Sequence, residues 1–437
     1  MNRIKKYAYL IFILLLLVPV AQRFFKVFTI KPLNHEAEVT YYPDFYFQTW
    51  LNGDYQLFTE AYINNNFGFR PFLVRLINQF DFSVFSKSNG RDVVVGKDRH
   101  LFFSYNIESY LGINHMCRDS MEMIMQRTAQ MIDTLKNHNI ELLFVIAPSN
   151  AFYFSDKLPA AYKKIKPQPN QYEFYRDKAL EFDMNFIDFN KWFLDMKDTV
   201  QYPLFPKYGT HYTYYSAAMV ADSMVKYMEH ISGSDFPDII FDSVNIEPVH
   251  DLENDLGQLA NLLLPLQREL LPWPVLSFDT AGKTRPRVLT VGDSFYWPVA
   301  NLQIPNQVFT GLDYWFYNTT VWPQSFSNYT LAKDISLGDK LNNLDFIVIY
   351  SSATLLYTHM YGFIDRLYYY YCEPETYARQ YYAKYYAQAY TKWFYAILAS
   401  EEWKEQIKEK AKQNHRSYYY QIHVDIDWMI NNSKPYR

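Results

Sequence analysis

Hydrophobic and polar positions divide the chain into three kinds of segment. The first is an unbroken apolar run, Tyr7 to Ala21, behind Arg3, Lys5 and Lys6 and ahead of Gln22, Arg23 and Lys26. As a helix its fifteen residues reach about 22 Å, short of a ~30 Å hydrocarbon core unless flanking aromatic and snorkelling basic side chains extend the span. Both an export signal and a membrane anchor fit. The run closes Val18-Pro19-Val20-Ala21-Gln22 with no small-x-small site, and Phe24-Phe25 follow. That pattern favours an uncleaved anchor over a cleaved signal, and over a buried helix of a cytosolic protein. The leading cations predict a cytoplasmic N-terminus and a periplasmic body, a single pass through the inner membrane, although Arg23 and Lys26 on the far side reduce the asymmetry.

The second kind alternates helix and strand. An aromatic, helical lead-in runs from Tyr42 to Phe85 and contains Asn66-Phe67-Gly68-Phe69-Arg70-Pro71. Val93-Val94-Val95 before Gly96-Lys97 predicts a strand and turn, with Leu101-Phe102-Phe103 as a second strand. Met121, Ile124, Met125, Thr128, Ile132 and Leu135 fall at helical intervals behind Asp119 as a cap, and the helix closes near Asn137. Leu142 to Ala147 is a continuous apolar run stopped by Pro148-Ser149-Asn150, as expected of a strand covered on both faces. Helices over about 171–181 and 213–230 flank the short strand Asn185 to Asp188. From about 232 to 287 the pattern loosens into an insertion or lid with one helical piece, Leu252 to Leu271. Strands resume at Val288 to Val291, broken by Gly292-Asp293-Ser294, and at Phe346 to Tyr350, broken by Ser351-Ser352. This is βαβ rhythm, and small polar residues past the carboxyl ends of apolar strands mark where ligands bind in an open parallel sheet.

The third kind is helical and aromatic, from about Gly362 onward, with Tyr377, Tyr381, Tyr385 and Tyr382, Tyr386, Tyr390 at four-residue spacing. Four segments are expected: an anchor over 1–31, a lead-in over 32–90, an α/β domain over 91–360 with its insertion over 232–287, and a helical tyrosine-rich extension over 361–437.

Composition narrows the function classes. With 437 residues, 49% hydrophobic and only 13 glycines, the chain is neither disordered nor collagen-like. Lys and Arg number 42 against 46 Asp and Glu, without the basic excess that a phosphate backbone requires, so no nucleic-acid partner is expected. Of 41 tyrosines, seventeen lie between Tyr357 and Tyr436; helical spacing there favours packing over a sugar-stacking platform. Cys117 and Cys372 could form one disulfide or stay as thiols, and neither sits in a redox or zinc motif. No metal and no cofactor are expected.

The sharpest chemical signal is Val291-Gly292-Asp293-Ser294-Phe295, which follows an apolar strand. Gly292 permits a sharp turn whose amides can face an oxyanion, and Ser294 is presented as a nucleophile. The alternative is a strand-ending turn in which Asp293 or Ser294 caps the next helix. A serine needs a base. Among ten histidines, His211 stands in a Pro- and Gly-containing loop, Phe205 to Tyr212, directly before a helix. His115, His138, His230 and His415 sit at polar helix ends, where solvation is the default. The alternation at His423-Val424-Asp425-Ile426-Asp427 reads as the polar face of a strand rather than a metal cluster.

With the anchor, Phe67 to Arg70, Gly96-Lys97, Leu142 to Pro148, Gly209-Thr210-His211-Tyr212 and Gly292 to Phe295, the chain resembles the SGNH-hydrolase-like polysaccharide O-acetyltransferases of the alginate AlgJ/AlgX type. The likeness spans roughly 1–355. It implies an α/β, flavodoxin-like, mostly parallel sheet with helices on both faces, Ser294 as nucleophile and His211 as base. It further implies acetyl transfer through a serine-linked acyl-enzyme, a membrane-bound O-acyltransferase supplying acetyl groups, and an envelope or exported polysaccharide as acceptor. One departure matters: the family's Asp-x-His-Trp is Gly209-Thr210-His211-Tyr212 here, so the orienting carboxylate is missing from its place. A carboxylate from elsewhere, with Asp198 as candidate, a backbone carbonyl holding a Ser-His dyad, or an inactive glycan-binding site all stay open. For the oxyanion hole the Ser294 amide is paired with Asn150 or Gly311, with Asp293 in support. An SGNH-type carbohydrate esterase and a non-catalytic envelope scaffold are the alternative functions.

Overall fold

The computed structural model describes residues 3–34, 41–114, 116–414 and 416–432. His115 and His415 lie outside the described residues, as do the side chains of Tyr381, Tyr382, Tyr385 and Tyr386. Two compact units divide the chain, 1–362 and 363–437.

Among the described residues, ten strands belong to the first unit: β1 (Val93–Val95), β2 (Leu101–Phe103), β3 (Glu141–Ala147), β4 (Phe186–Asp188), β5 (Asp238–Pro248), β6 (Leu270–Asp279), β7 (Val288–Gly292), β8 (Tyr314–Phe316), β9 (Thr320–Trp322) and β10 (Phe346–Ser352). Six form the central sheet in the order β4-β3-β10-β7-β8-β9. All neighbours are parallel except β9, which turns back antiparallel on β8. The middle strands β3, β7 and β10 are apolar apart from Glu141, Thr290 and the closing Ser351-Ser352, because both of their faces are covered. Leu143, Val145, Val288 and Val348 pack with Ala217, Val220, Ala221 and Met224 of helix Tyr214–Ser232. On the opposite face Phe144 meets Tyr175 of helix Gln171–Glu181, beside helix Arg118–Lys136 and its buried Ile124, Met125 and Met131. An SGNH-like α/β domain results.

β1 and β2 form a small antiparallel hairpin, with Gly96 N–H donating to the His100 carbonyl at 2.7 Å. Helix Arg118–Lys136 starts at Cys117 without a side-chain cap; Asp119 sits inside the first turn, where the partial positive charge of the helix end favours a carboxylate.

The segment 232–287 departs from expectation. Most of it is a two-stranded antiparallel ribbon, β5 with β6, paired from Asp238↔Asp279 to Pro248↔Leu270 with a register shift between Phe241 and Ser243. The expected helix over 252–271 shrinks to a 3₁₀ turn, Asp251–Asn254, and one short helix, Asp255–Leu259. Pro272 and Pro274 argue against a strand in the sequence, yet they sit in a ribbon that belongs to no larger sheet, where proline removes little pairing.

In the second unit, helices Phe363–Cys372, Pro374–Ala399, Glu401–Gln413 and Tyr418–Asn432 follow one another. Ile397, Ile407, Ile422, Ile426 and Ile430 form its core. The period-two alternation at 423–427 is therefore helical: Ile422, Ile426 and Ile430 recur every four residues, and that stripe outweighs the local alternation. His423 Nδ1 meets the Tyr390 hydroxyl at 2.6 Å. Cys117 and Cys372 are both thiols outside any disulfide.

Candidate active site

β7 ends at Gly292, and Ser294 opens the next 3₁₀ turn, so its half-buried hydroxyl stands at the carboxyl edge of the sheet. No side chain fits at Gly292, where a Cβ would lie 2.5 Å from the Tyr350 carbonyl oxygen of the neighbouring strand β10. The tight turn therefore requires glycine.

Asp293 holds that turn from beneath. Its fully buried carboxylate accepts from Phe295 N–H at 3.0 Å, Ser352 N–H at 2.7 Å and the Tyr361 hydroxyl at 3.1 Å. Burial pushes its pKa up while these donors pull it down. The carboxyl faces the interior, so Asp293 shapes the turn and offers no donor to an oxyanion.

His211 brings Nε2 to 2.9 Å from Ser294 Oγ. On the other side of the ring, Nδ1 lies 2.8 Å from Asp255 Oδ2. Since the carboxylate accepts, Nδ1 carries the proton and Nε2 is left to accept from the serine hydroxyl. Asp255 is the first residue of the short helix at the ribbon's tip. Its second oxygen accepts from Thr210 N–H at 2.8 Å, so one carboxylate fixes both the imidazole and the loop that carries it. Asp198, by contrast, is exposed and makes no bond to His211. Nor is a backbone carbonyl the partner of Nδ1.

Gly209 accounts for the route by which this acid arrives. A Cβ there would lie 2.7 Å from the Glu253 carbonyl oxygen and 2.8 Å from its carbon. The ribbon tip thus occupies the space that a side chain at 209 would need. Four further bonds clasp tip to loop: Gly257 N–H to the Tyr208 carbonyl at 2.9 Å, Lys207 N–H to both Glu269 oxygens at 3.0 and 3.1 Å, and Tyr214 N–H to Glu253 Oε1 at 3.1 Å. Burial raises the pKa of Glu253 and pushes that of Glu269 up to about 7.

Tyr212 locks base to nucleophile from behind. Fully buried, it donates to the Phe295 carbonyl and shares a 2.7 Å bond with the Tyr350 hydroxyl. An indole, with a single N–H donor, could not make both contacts.

The expected oxyanion groups fare differently. Asn150 is buried beside the loop, but its amide donates to the Leu101 and Gly209 carbonyls, each at 3.3 Å, and its oxygen accepts from Asn106 at 3.0 Å. It braces the His211 loop and has no donor to spare. Gly311 precedes β8, whose Tyr314 pairs with Thr290. It sits at the amino end of the parallel strands, roughly 20 Å along the strand direction from Ser294 at ~3.3 Å per residue, so it cannot reach a bound acyl group. A group close to this turn is instead Tyr317, just past β8, whose N–H donates to the Gly292 carbonyl at 2.8 Å and whose phenol interacts with Ser294. Burial pushes its pKa up to about 12, so it is a neutral donor. Among the described residues no three His, Cys, Asp or Glu side chains gather as a metal-binding group. A cavity of about 730 Å³ lies between the lead-in and the ribbon tip, and Tyr208, Gly257 and Glu269 are part of its wall.

Asp255, Tyr317 and Asn106 have no motif in the sequence. The acid lies 44 residues after its histidine, in a stretch whose only local mark is the close spacing of Asp251, Glu253 and Asp255.

Fold and geometry together define an SGNH-hydrolase-like α/β domain with a Ser-His-Asp series at its carboxyl edge. Residues 93–281 match the family model described as SGNH hydrolase-like domain, acetyltransferase AlgX. Similar solved structures include the O-acetyltransferase domain of Pseudomonas putida AlgJ, 16% identical over 61% of this chain and 92% of that one, with a TM-score of 0.38. Pseudomonas aeruginosa AlgX is 14% identical over 62% and 67%, at 0.41. Bacillus cereus PatB1 with a sulfonyl adduct is 13% identical over 57% and 94%, at 0.39. No curated protein matches the chain in sequence.

Proposed function

We propose that the protein is an O-acetyltransferase that moves an acetyl group onto hydroxyls of an envelope or exported polysaccharide through a serine-linked acyl-enzyme. The observation that carries this reading is the unbroken series Ser294 Oγ, His211 Nε2, His211 Nδ1, Asp255 Oδ2, two of whose three residues fall in the stretch 93–281 that matches the AlgX acetyltransferase family model. Ser294 gives its proton to His211 as Oγ attacks the acyl carbonyl. The tetrahedral oxyanion is met by the Ser294 amide and the Tyr317 hydroxyl. His211, stabilised as imidazolium by Asp255, returns the proton to the departing donor oxygen. In the second half a sugar hydroxyl passes its proton to His211 and attacks the acetyl carbonyl, and Ser294 leaves with that proton.

The acyl donor reaches Ser294 from outside the membrane, where a membrane-bound O-acyltransferase is the expected supplier. The helix Ile4–Phe25, 22 residues with a mean hydropathy of 2.1, is long and apolar enough to anchor the chain in the inner membrane beside that supplier. With Asp255 filling the acid's role, the inactive-scaffold reading loses the feature that motivated it.

The test is acylation of the full-length protein in detergent with an activated acetyl ester, read by peptide mass spectrometry, with candidate oligosaccharides as second nucleophile. An acetyl mass on the Ser294 peptide, absent in Ser294→Ala, followed by acetylated sugar is the expected result. Free acetate without acetylated sugar would replace the transferase by an esterase.

A further inference from the structure

The lead-in after the anchor carries an unusual surface. Helix Arg70–Phe85 buries Asn78 and Phe82 on the ribbon tip, where Asn78 donates to the Ala260 and Asn261 carbonyls at 3.0 and 3.2 Å. A soluble helix docked this way turns charge to the solvent. This one instead exposes Phe72, Leu73, Leu76, Ile77, Phe80 and Val84, a stripe at helical period with no charged residue in it, and Ile77, Phe80 and Val84 are 57–59% exposed. Helix Asp54–Asn66 adds exposed Leu57, Phe58 and Ile63, and helix Phe47–Asn52 adds Trp50 and Leu51. Contiguous apolar surface of this extent marks a membrane or protein contact.

Contacts with the anchor fix its depth. Gly68 lies against the anchor so closely that a Cβ would sit 1.9 Å from the Pro19 carbonyl oxygen, and Arg23 donates to the Tyr62 hydroxyl at 3.1 Å. Gln22 holds the chain as it leaves the helix, exchanging bonds of 2.7 and 3.1 Å with the Phe28 backbone. Pro19 lies two residues inside the end of the apolar run at Ala21, about 3 Å along its axis. The anchor itself thus holds the lead-in at the membrane boundary, where interfacial helices bury their apolar face by about 5–10 Å. Between residues 47 and 85 the charges are Asp54, Glu60, Arg70, Arg75 and Asp81. Two cations against three anions give no attraction to anionic lipid.

We infer that the helices over 47–85 lie in the outer leaflet as an aromatic platform, bound by apolar insertion into zwitterionic lipid, and hold the active-site domain at a fixed height above the bilayer. This rests on the reading of Ile4–Phe25 as a retained anchor.

The test uses the full-length chain in phosphatidylcholine nanodiscs, with Cys117→Ser and Cys372→Ser and one environment-sensitive fluorophore at a time on Phe12→Cys, Ile77→Cys, Phe80→Cys or Tyr329→Cys. Phosphatidylcholine brominated near the carbonyl end of its acyl chain is the quencher. Labels at 77 and 80 are expected to lose fluorescence as the anchor label at 12 does, unchanged by added salt, while the label at 329, 75% exposed on the catalytic body, keeps its signal. Quenching at 12 without quenching at 77 and 80 overturns the platform and leaves the anchor standing. No quenching at 12 overturns the anchor, and the platform with it. Labels at 77 and 80 that stay wet in nanodiscs but become shielded in native membrane vesicles overturn lipid as the occupant in favour of a membrane protein.

Discussion

The carboxyl edge of the central sheet and the tip of the β5–β6 ribbon supply the same relay by different physical means. The edge presents Ser294 on a turn fixed by a buried strand, a glycine pressed against β10 and a buried carboxylate with three donors. Little there can move without disturbing the core. Asp255 comes from a ribbon outside the sheet and reaches its place through backbone bonds to the 207–214 loop. Ser294 is thus positioned by packing, and Asp255 by a clasp of hydrogen bonds around a missing side chain at Gly209. Where a histidine's carboxylate partner sits in the sequence and where it sits in space can separate, provided a neighbouring residue gives up its volume.

Four measurements would break or sharpen that contrast. The largest effect is expected at the edge: Ser294→Ala and His211→Ala should each lower turnover of an activated acetyl ester by about 10⁴-fold or more, with melting temperature nearly unchanged for the serine. At the tip, Asp255→Asn should cost on the order of 10²–10⁴ in kcat, because an amide still accepts from Thr210 N–H but presents the wrong group to Nδ1. Asp198→Asn should leave kcat at the wild-type value; equal losses for the two would remove Asp255 from the relay. Gly209→Ala should act on the clasp, forcing Glu253 away by more than a flexible side chain would require, with a stability loss of about 1–3 kcal/mol by denaturant titration. The kcat of this variant should fall with its stability, and a neutral result would show that the tip does not press on the loop.

The smallest effect concerns pH. Glu269 has a folded pKa of about 7 against an ordinary 4.5, because burial disfavours its charge. The folded state therefore binds more protons between those values, and the stability contribution of Glu269 is full below about pH 4.5 and lost as pH rises through about 7. Glu269→Gln, which keeps an acceptor for Lys207 N–H, should raise the melting temperature at about pH 8 and leave it unchanged at about pH 4. The same gain at both pH values would remove the buried charge as its cause.

What could be read from the sequence follows the same division. β3, β7 and β10 announce themselves as apolar runs because burial on both faces leaves few polar positions, and the hairpin at 93–103 has its turn residues in place. Ser294 and His211 were legible because each lies at a sharp local change, strand to turn and loop to helix. The ribbon was not legible: two prolines and exposed polar positions suppress its strand signal, and Leu252 to Leu271 contains enough leucine to imitate a helix. Asp255 inherits that failure. Tyr317 and Asn106 become site neighbours only through strand order and loop packing, which no local pattern records. Gly311 was misplaced because the strand of Tyr314 to Phe316 is too short to register, and without it the glycine had no assigned end of the sheet.

Strand order also sets a schedule. β10 lies between β3 and β7 at the centre of the sheet although it is the last strand in the chain, and its end supplies the Ser352 amide that holds Asp293 beneath the nucleophile. Until residue 352 has been synthesised, β7 lacks its inner partner, and the Ser294 turn has neither its floor nor one of its donors. During synthesis His211 and Asp255 therefore precede the strand that completes the Ser294 turn, and the three residues are brought together only when the first unit is nearly complete. Truncation between Ser294 and β10 would leave Ser294, His211 and Asp255 all present and the series between them unbuilt.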